Sequence, residues 1–269
     1  MSIKFGVIGG GVMGEALLSR LINQQIYLPS EVLVSEPQAQ RRSYLTEKYG
    51  VGVTANNSEV AGGSEVLFLA VKPQVFDMVA AELVENQITV PEQLVISILA
   101  GVPLSKLEWA FPGQPVIRSM PNTPATVGAG ITAIAPGNQV QQHHLERAKR
   151  IFQAVGEVVE VPETMLDAVT GLSGSGPGYV AVMIEALTDG GVASGLPRAI
   201  ASKLALETVF GTAQLLKESA MHPAELKDKV TSPGGTTITG IAELERAGFR
   251  SALIEAVKAA YRRSKELGN

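Results

Sequence analysis

The hydrophobic and polar positions divide the chain into two regions of different character. Up to about residue 161, short apolar runs alternate with segments of helical periodicity. Beyond Pro162 the short runs stop and helical patterns take over. Continuous apolar strands with helical crossovers are typical of a parallel sheet covered on both faces. The predicted fold class is therefore α/β, with a parallel-sheet domain over residues 1–161 and an all-helical domain over residues 162–269.

The same patterning gives bounds for the individual elements. The predicted strands cover residues 3–8, 32–35, 51–53, 66–71, 94–99, 116–120, 131–135 and 157–161. The principal predicted helices cover residues 15–23, 75–84, 141–154, 179–193, 197–217, 224–230, 237–247 and 251–267.

The predicted helix over residues 179–193 is apolar on nearly all sides and has no polar stripe. A helix of this kind has to be buried. A helical region of about a hundred residues cannot readily cover it within one chain. We therefore expect the helical domain to form a large part of a dimer interface, with a monomeric helical cap as the alternative.

The first predicted strand runs directly into Gly9-Gly10-Gly11-Val12-Met13-Gly14, and a helix follows. Strand, G-x-G-x-x-G and helix together are typical of a Rossmann-type dinucleotide-binding domain. Gly9 permits the tight turn, Gly11 lets the backbone approach a pyrophosphate, and Gly14 lets the helix pack against the strand. This context predicts a bound dinucleotide at the helix N-terminus.

The end of the second predicted strand bears on the form of the cofactor. Glu36 lies where an acidic residue binds the 2′-hydroxyl of the adenine ribose, which favours NAD. Arg41 and Arg42 follow closely and are placed to hold a 2′-phosphate instead. These residues leave the choice between NADPH and NADH open.

Ligands of parallel sheets bind beyond the carboxyl ends of the strands. Two polar residues lie at such ends besides the glycine loop. Lys72 is either a phosphate ligand or a catalytic cation, or contributes only backbone beside Pro73. Asn122 either orients the nicotinamide amide or stabilises a turn between two prolines.

Composition excludes several classes of function. A net charge of −4 and a pI near 5.5 argue against nucleic acid as a main partner. The chain has no cysteine, and its three histidines are poorly spaced for a metal site, so no metal is predicted. His143 and His144 fall at a polar helix start and are expected to be solvated. No signal-peptide layout or membrane-length apolar run is present, which predicts a cytoplasmic protein without a membrane partner.

A second loop of chemical interest spans residues 228–237, with the sequence DKVTSPGGTT. Its hydroxyl side chains and glycines precede a predicted helix, and backbone N–H groups at a helix start suit an anionic ligand. A plain turn between two helices is the alternative.

A dinucleotide domain followed by a helical domain suggests hydride transfer. Neither glycine-rich loop carries a histidine or an apparent carboxylate or lysine pair for proton transfer. A protonated imine needs no strong acid, only a carboxylate site and a hydroxyl near its nitrogen. Ser232, Thr236 and Thr237, with the N–H groups of Gly234 and Gly235, supply that set.

The loop and four further segments resemble the pyrroline-5-carboxylate reductase family. They are residues 68–73 (FLAVKP), 118–124 (RSMPNTP), 167–177 (DAVTGLSGSGP), 189–197 (DGGVASGLP) and 228–245. The resemblance implies reduction of L-Δ1-pyrroline-5-carboxylate to L-proline by NAD(P)H, the last step of proline biosynthesis. It also implies interlocked dimers through the helical domain and larger rings such as decamers.

The resemblance also implies roles for individual residues. Thr237 places its hydroxyl at the imine nitrogen, and Ser232, Pro233, Gly234, Gly235 and Thr236 hold the substrate carboxylate. Many members of the family favour NADPH, with NADH possible, and Glu36 departs from the small or basic residue often found at its position. With the residues argued above, the predicted cofactor contacts are Ile8, Gly9, Gly10, Gly11, Val12, Met13, Ser35, Glu36, Asn57, Ala70, Val71, Lys72, Pro73 and Asn122.

Two other functions use the same scaffold. One is reduction of a different imine or of a β-hydroxy acid, for which Lys203 is the candidate lysine. The other is a non-catalytic NAD(P) sensor that binds partners through its helices, which leaves the loop at residues 228–237 unexplained.

Overall fold

The computed structural model of the chain describes residues 3–86, 88 and 90–268. Residues 1, 2, 87, 89 and 269, which the predicted domain ranges include, lie outside the described residues. The chain divides into two compact units, one of residues 1–175 with 259–269 and the other of residues 176–258.

The first unit contains one sheet with helices on both faces. Its strands are β1 (Ile3–Ile8), β2 (Val32–Ser35), β3 (Gly52–Thr54), β4 (Ser64–Leu69), β5 (Leu94–Ser97), β6 (Val116–Met120), β7 (Gly130–Pro136) and β8 (Gly156–Glu160). Its α-helices are α1 (Val12–Asn23), α2 (Ala39–Tyr49), α3 (Asn57–Gly63), α4 (Phe76–Glu85), α5 (Leu104–Ala110), α6 (Gln142–Gln153) and α7 (Leu166–Val169).

The strand order is β3-β2-β1-β4-β5-β6-β7-β8, and neighbouring strands pair in parallel except β6 with β7. The sequence predicts a parallel sheet and does not anticipate this antiparallel pair. The connection over residues 121–129 explains it, because a parallel crossover needs a dozen or more residues and usually a helix. β7 and β8 are parallel again, with α6 as the crossover.

Side chains alternate between the two faces of the sheet and fill two cores. Phe5 packs with Tyr27 and Phe68 on one face, at ring-centroid distances of 5.1 and 5.8 Å. The neighbouring positions Leu67 and Leu69 belong to the other core. All five side chains are at least nine-tenths buried, which accounts for the fully apolar strand sequences.

The boundary of the first unit differs from the division predicted at residues 161/162. Leu166 packs into the core of the sheet unit. Arg118 on β6 forms an ion pair with Glu163 at 2.9 Å. The hydroxyl of Ser264 donates to Asp167 at 2.7 Å, so the end of the last helix belongs to the same unit. Residues 163–175 and 259–268 therefore complete the sheet unit, although they are helical.

The second unit is helical throughout. Its helices are α8 (Gly176–Ala193), α9 (Arg198–Ser219), α10 (Pro223–Lys229), α11 (Thr236–Arg246) and the part of α12 (Phe249–Gly268) up to residue 258. A π-helical turn over Thr170–Gly174, in the first unit, precedes α8.

Several large apolar side chains of α8 and α9 are exposed in the single chain. Val182 is 66% exposed, Leu204 53% and Phe210 61%. Large exposed apolar surfaces of this kind mark contacts with another protein. Among the described residues no helix is both long enough and apolar enough to cross a membrane.

Candidate functional site

The glycine loop between β1 and α1 has the geometry that the motif predicts. Gly9 has a φ of +106°, and a Cβ there would lie 2.7 Å from the carbonyl oxygen of Ala70. A Cβ at Gly14 would lie 2.3 Å from the carbonyl oxygen of Gly9. A Cβ at Gly11 would meet no described atom within 4 Å. Backbone atoms therefore pack closely against Gly9 and Gly14, whereas the space next to Gly11 is open, as the approach of a pyrophosphate requires.

The N-terminus of α1 faces that open side. Gly11 is its N-cap residue and provides no capping side chain. The first-turn N–H groups of a helix have no partner within the helix. They are available to an anion, and the helix dipole favours one there.

Backbone hydrogen bonds bring three predicted cofactor segments together. The N–H of Gly9 donates to the carbonyl oxygen of Ser35 at 2.9 Å. The N–H of Ala70 donates to the carbonyl oxygen of Ile8, also at 2.9 Å. The ends of β1, β2 and β4 therefore form one edge, where ligands of such sheets bind.

Several predicted contacts are available only through their backbone or are held by other residues. Ser35 is 1% exposed, and its hydroxyl donates to Oδ1 of Asn57 at 2.6 Å. Nδ2 of Asn57 donates to Glu82 at 2.8 Å. The amide of Asn57 is thus fixed at the end of β2 from both sides.

Val12 is 72% exposed beside the glycines, whereas Met13 packs against the core. Lys72 is exposed and its carbonyl oxygen accepts the N–H of Val75 in a 3₁₀ turn that starts at Pro73. Val71 packs against the core. Lys72 has no carboxylate partner among the described residues.

Oδ1 of Asn122 accepts the N–H of Ile131 at 3.0 Å. This contact joins the two ends of the connection between β6 and β7. The amide therefore stabilises the turn, and only its Nδ2 group remains for a ligand.

Glu36 is buried and faces the glycine loop. Its exposed fraction is 8%, and its two carboxylate oxygens accept the N–H groups of Gly10 at 3.1 Å and Gln38 at 3.0 Å. The residue therefore fixes the loop against the end of β2 in addition to any contact with a ribose.

A cluster of charged and phenolic groups lies beside this loop and was not predicted from the sequence. Glu15 on α1 accepts hydrogen bonds from Tyr49, Arg41, Lys48 and Tyr44 on α2. Burial raises the pKa of Glu15, but these four hydrogen bonds outweigh it and lower the pKa to about 2. No signal within either helix indicates the pairing, because it depends on how the helices pack.

The loop after α10 turns at residues 230–235 and leads into α11. Gly234 has a φ of +67°, and the N–H of Gly235 donates to the carbonyl oxygen of Ser232 at 3.0 Å. That N–H is therefore used by the turn. Gly235 is the N-cap residue of α11 and provides no capping side chain.

The open donors are the N–H groups of Thr236, Thr237 and Ile238, which form the first turn of α11. All three residues are exposed, as are Ser232 and Pro233. The hydroxyl of Thr237 therefore lies on the same helix turn as a set of N–H groups suited to a carboxylate.

Two further residues singled out in the sequence are Lys203, a candidate catalytic lysine, and His144, which is expected to be solvated. Lys203 is exposed on α9. The expectation that His144 is solvated is wrong: it is 4% exposed and its Nδ1 accepts the N–H of Gln141 at 3.1 Å. This bond caps the start of α6.

Glu92, His143 and His144 place ligand atoms within 4.8 Å of one another. Because Nδ1 of His144 accepts a hydrogen bond, its Nε2 carries the proton and offers no lone pair to a metal. Burial lowers the pKa of His144, which keeps this neutral form.

Two family profiles match the chain. One is described as pyrroline-5-carboxylate reductase dimerisation and covers residues 163–267. The other is described as NADP oxidoreductase coenzyme F420-dependent and covers residues 4–101.

Relatives of known function match over the full length. A pyrroline-5-carboxylate reductase from Synechocystis is 63% identical, over 100% of this chain and 99% of the relative. The Escherichia coli enzyme of that name is 40% identical, over 99% of each chain.

Solved structures of pyrroline carboxylate reductases are also similar to this chain. A pyrroline-5-carboxylate reductase from Coxiella burnetii has a TM-score of 0.92 and 34% identity, with 100% of each chain covered. A pyrroline carboxylate reductase from Plasmodium falciparum, solved with NADP bound, has a TM-score of 0.88 and 31% identity over 99% and 98% of the two chains.

Proposed function

Because the chain belongs to the pyrroline-5-carboxylate reductase family, we propose that residues 232–237 bind its substrate and that the glycine loop binds its reductant. The chain is an NAD(P)H-dependent oxidoreductase that reduces L-Δ1-pyrroline-5-carboxylate to L-proline. This is the last step of proline biosynthesis.

The glycine loop fits the nicotinamide cofactor on three counts. The space next to Gly11 is open, and no side chain caps the N-terminus of α1. Gly9 and Gly14 allow neighbouring backbone segments to pack closely. The bound cofactor supplies a hydride from C4 of its nicotinamide. Ser35, Asn57, Ala70 and their neighbours line the edge of the sheet along which the rest of the cofactor is expected to lie.

The substrate is a cyclic imine with a carboxylate, and its nitrogen is protonated before reduction. The first turn of α11 offers N–H groups to the carboxylate. The hydroxyl of Thr237 orients the ring nitrogen. Addition of a hydride to C5 then gives the secondary amine of proline, and the proton on nitrogen is retained. Catalysis by this chain is mostly a matter of positioning.

The observation that carries this assignment is the combination on one helix turn of an exposed Thr237 with uncapped N–H groups. Pyrroline-5-carboxylate presents one anionic group and one nitrogen, which that combination matches. No histidine or carboxylate is needed to hold it.

The helical region corresponds to the family's dimerisation domain, and the chain forms oligomers through it. We propose a dimer as the basic unit, which would cover the exposed apolar faces of α8 and α9. A ring such as a decamer and a cytoplasmic location stay predictions.

The test is an initial-rate assay of purified protein with pyrroline-5-carboxylate and either NADPH or NADH. Oxidation of the nicotinamide is followed at 340 nm and proline is identified as the product. A panel of other cyclic imines and β-hydroxy acids serves as the comparison. Turnover fastest with pyrroline-5-carboxylate is expected. Absence of turnover with this substrate, or clear preference for a β-hydroxy acid, would contradict the assignment.

A further inference from the structure

The adenosine end of the cofactor site contains two adjacent arginines that the structure treats differently. Both are half-buried on the first turn of α2, directly after the strand end at which a 2′-hydroxyl or a 2′-phosphate is recognised. The difference between them lies in what each guanidinium bonds.

Arg41 is engaged in a network that includes a carboxylate. Its Nε donates to the carbonyl oxygen of Gly10 at 2.8 Å, and its Nη2 forms an ion pair with Glu15. The guanidinium also lies over the ring of Tyr44, 4.8 Å from the centroid. Arg41 thus connects α1, α2 and the glycine loop, with its Nε and Nη2 groups both occupied and a carboxylate, which it shares with Lys48, as its ion-pair partner.

Arg42 is held but not neutralised. Its Nη1 donates to the carbonyl oxygens of Glu36 and Pro37, both at 2.8 Å. In the described part of the chain, no carboxylate lies within ion-pair distance of this guanidinium. A guanidinium carries five N–H groups, so those on Nε and Nη2 remain open after the two on Nη1 are used.

Glu36, the acidic residue at the end of β2, does not direct its carboxylate toward the position of a 2′-phosphate. Each carboxylate oxygen of Glu36 accepts a backbone N–H, and the side chain is 8% exposed. Its charge is turned toward the glycine loop. The backbone carbonyl of the same residue helps to fix Arg42 at the strand end.

From this asymmetry we propose that Arg42 is the residue that selects NADPH over NADH, by binding the 2′-phosphate, and that Arg41 has a structural role only. The proposal rests on the proposed function for the identity of the cofactor. An Arg with a fixed planar edge is suited to bidentate recognition of phosphate.

The experiment compares Arg42→Gln with Arg41→Gln, which remove the same group from adjacent positions of one helix. Dissociation constants of NADP⁺ and NAD⁺ are measured by titration calorimetry on the purified full-length protein, so the result does not depend on turnover. Thermal unfolding of each variant establishes that it is folded.

In Arg42→Gln we expect NADP⁺ to bind about tenfold or more weakly and NAD⁺ to bind within twofold of the parent chain. In Arg41→Gln we expect both cofactors to be weakened by a similar factor. Arg42→Lys, which keeps the charge but not the planar fork, should give an intermediate NADP⁺ affinity. The preference of the parent chain for NADP⁺ should also fall as salt is raised, whereas that of Arg42→Gln should change little.

Three outcomes would overturn the proposal. They are an unchanged ratio of the two affinities in Arg42→Gln, a ratio that falls in Arg41→Gln instead, and a parent chain that binds NAD⁺ as tightly as NADP⁺. Failure to reduce pyrroline-5-carboxylate would count against the proposed function alone, because the affinity ratio is measured without substrate.

Discussion

Oε2 of Glu36 accepts the backbone N–H of Gly10 at 3.1 Å, which ties the end of β2 to the middle of the glycine loop. Both groups are buried. A buried N–H that loses its acceptor costs about 1–3 kcal/mol. The cofactor loop is therefore stabilised before any cofactor binds.

Replacing Glu36 should destabilise the protein. In Glu36→Ala the N–H groups of Gly10 and Gln38 both lose their acceptor, and we expect the free energy of unfolding to fall by about 1–3 kcal/mol. Urea unfolding followed by circular dichroism measures this. Gln40→Ala, at an exposed position in the first turn of α2, is the control, and an equal effect there would argue against the role of this hydrogen bond.

The two glycines Gly11 and Gly14 should respond differently to alanine. In Gly14→Ala the new Cβ would lie 2.3 Å from the carbonyl oxygen of Gly9, so the helix or the loop has to move. We expect a loss of about 1–3 kcal/mol of stability together with weaker cofactor binding.

In Gly11→Ala the new Cβ meets no described atom within 4 Å. We expect an unchanged melting temperature and a clear rise in the dissociation constant for the cofactor, since the methyl group occupies the approach of the pyrophosphate. Calorimetric titration and thermal unfolding of both variants separate the two effects. Loss of stability in Gly11→Ala would show that the space beside Gly11 is not open.

The low pKa of Glu15 predicts that the stability of the protein depends on pH. Its hydrogen bonds with Tyr49, Arg41, Lys48 and Tyr44 lower its pKa from 4.5 to about 2. Because the pKa of the folded state is depressed, the stabilisation is present above about pH 4.5 and is lost as pH falls toward 2. We expect Glu15→Gln to cost about 1–2 kcal/mol at pH 7, less than the full shift since the carboxylate stays partly hydrated.

Urea unfolding of both proteins at several pH values between 7 and 2.5 measures this difference. The difference in unfolding free energy should shrink as the solution is acidified through this range. A difference that is independent of pH would indicate that packing, and not charge, accounts for the effect of the substitution.

Thr237→Ala should lower kcat/KM by roughly ten- to a hundredfold, about 1.4–2.7 kcal/mol, because it removes the hydroxyl that we propose orients the imine nitrogen. Thr231→Ala is the matched control, since its hydroxyl donates to the carbonyl oxygen of Asp228 within the preceding turn. Steady-state rates with saturating NADPH measure both. Unchanged kinetics in Thr237→Ala would remove this residue from the mechanism.

Assembly through the helical region should be sensitive to charge on α9. Leu204→Asp combined with Phe210→Asp places two carboxylates at exposed apolar positions of this helix, and burial of unpaired charge is costly. We expect the sedimentation mass to shift toward that of a single chain, 28.2 kDa.

Trp109→Asp, at a residue of the sheet unit that is 72% exposed, is the control and should leave the assembly unchanged. A parent chain that already sediments at 28.2 kDa at micromolar concentration would rule out the dimer.

The sequence predicts the elements of the sheet well because its strands are buried on both faces and therefore uniformly apolar. The strand predicted at residues 116–120 coincides with β6. The strand predicted at residues 66–71 overlaps β4, which begins and ends two residues earlier, at Ser64 and Leu69. Whether a strand runs parallel or antiparallel to its neighbour is harder to predict. The antiparallel pairing of β7 follows from the length of a connection and not from the composition of the strand.

Side-chain partners between distant segments could not be predicted from patterning. Glu36 is in the position of a ribose ligand by spacing, yet its carboxylate points at the glycine loop. His144 falls in a polar run, yet it is buried as a helix cap. In both cases the tertiary packing decides between a solvated and a buried polar group, and local sequence carries no information on it.

The hydrogen bond from Ser264 to Asp167 has a consequence for how the protein is made. Residues 259–268 belong to the sheet unit, which otherwise ends at residue 175. During synthesis, domains generally fold from the N-terminal side as units. Here the sheet unit acquires its last helical segment only after the whole of residues 176–258 has left the ribosome, so its native packing is completed last although its glycine loop is made first.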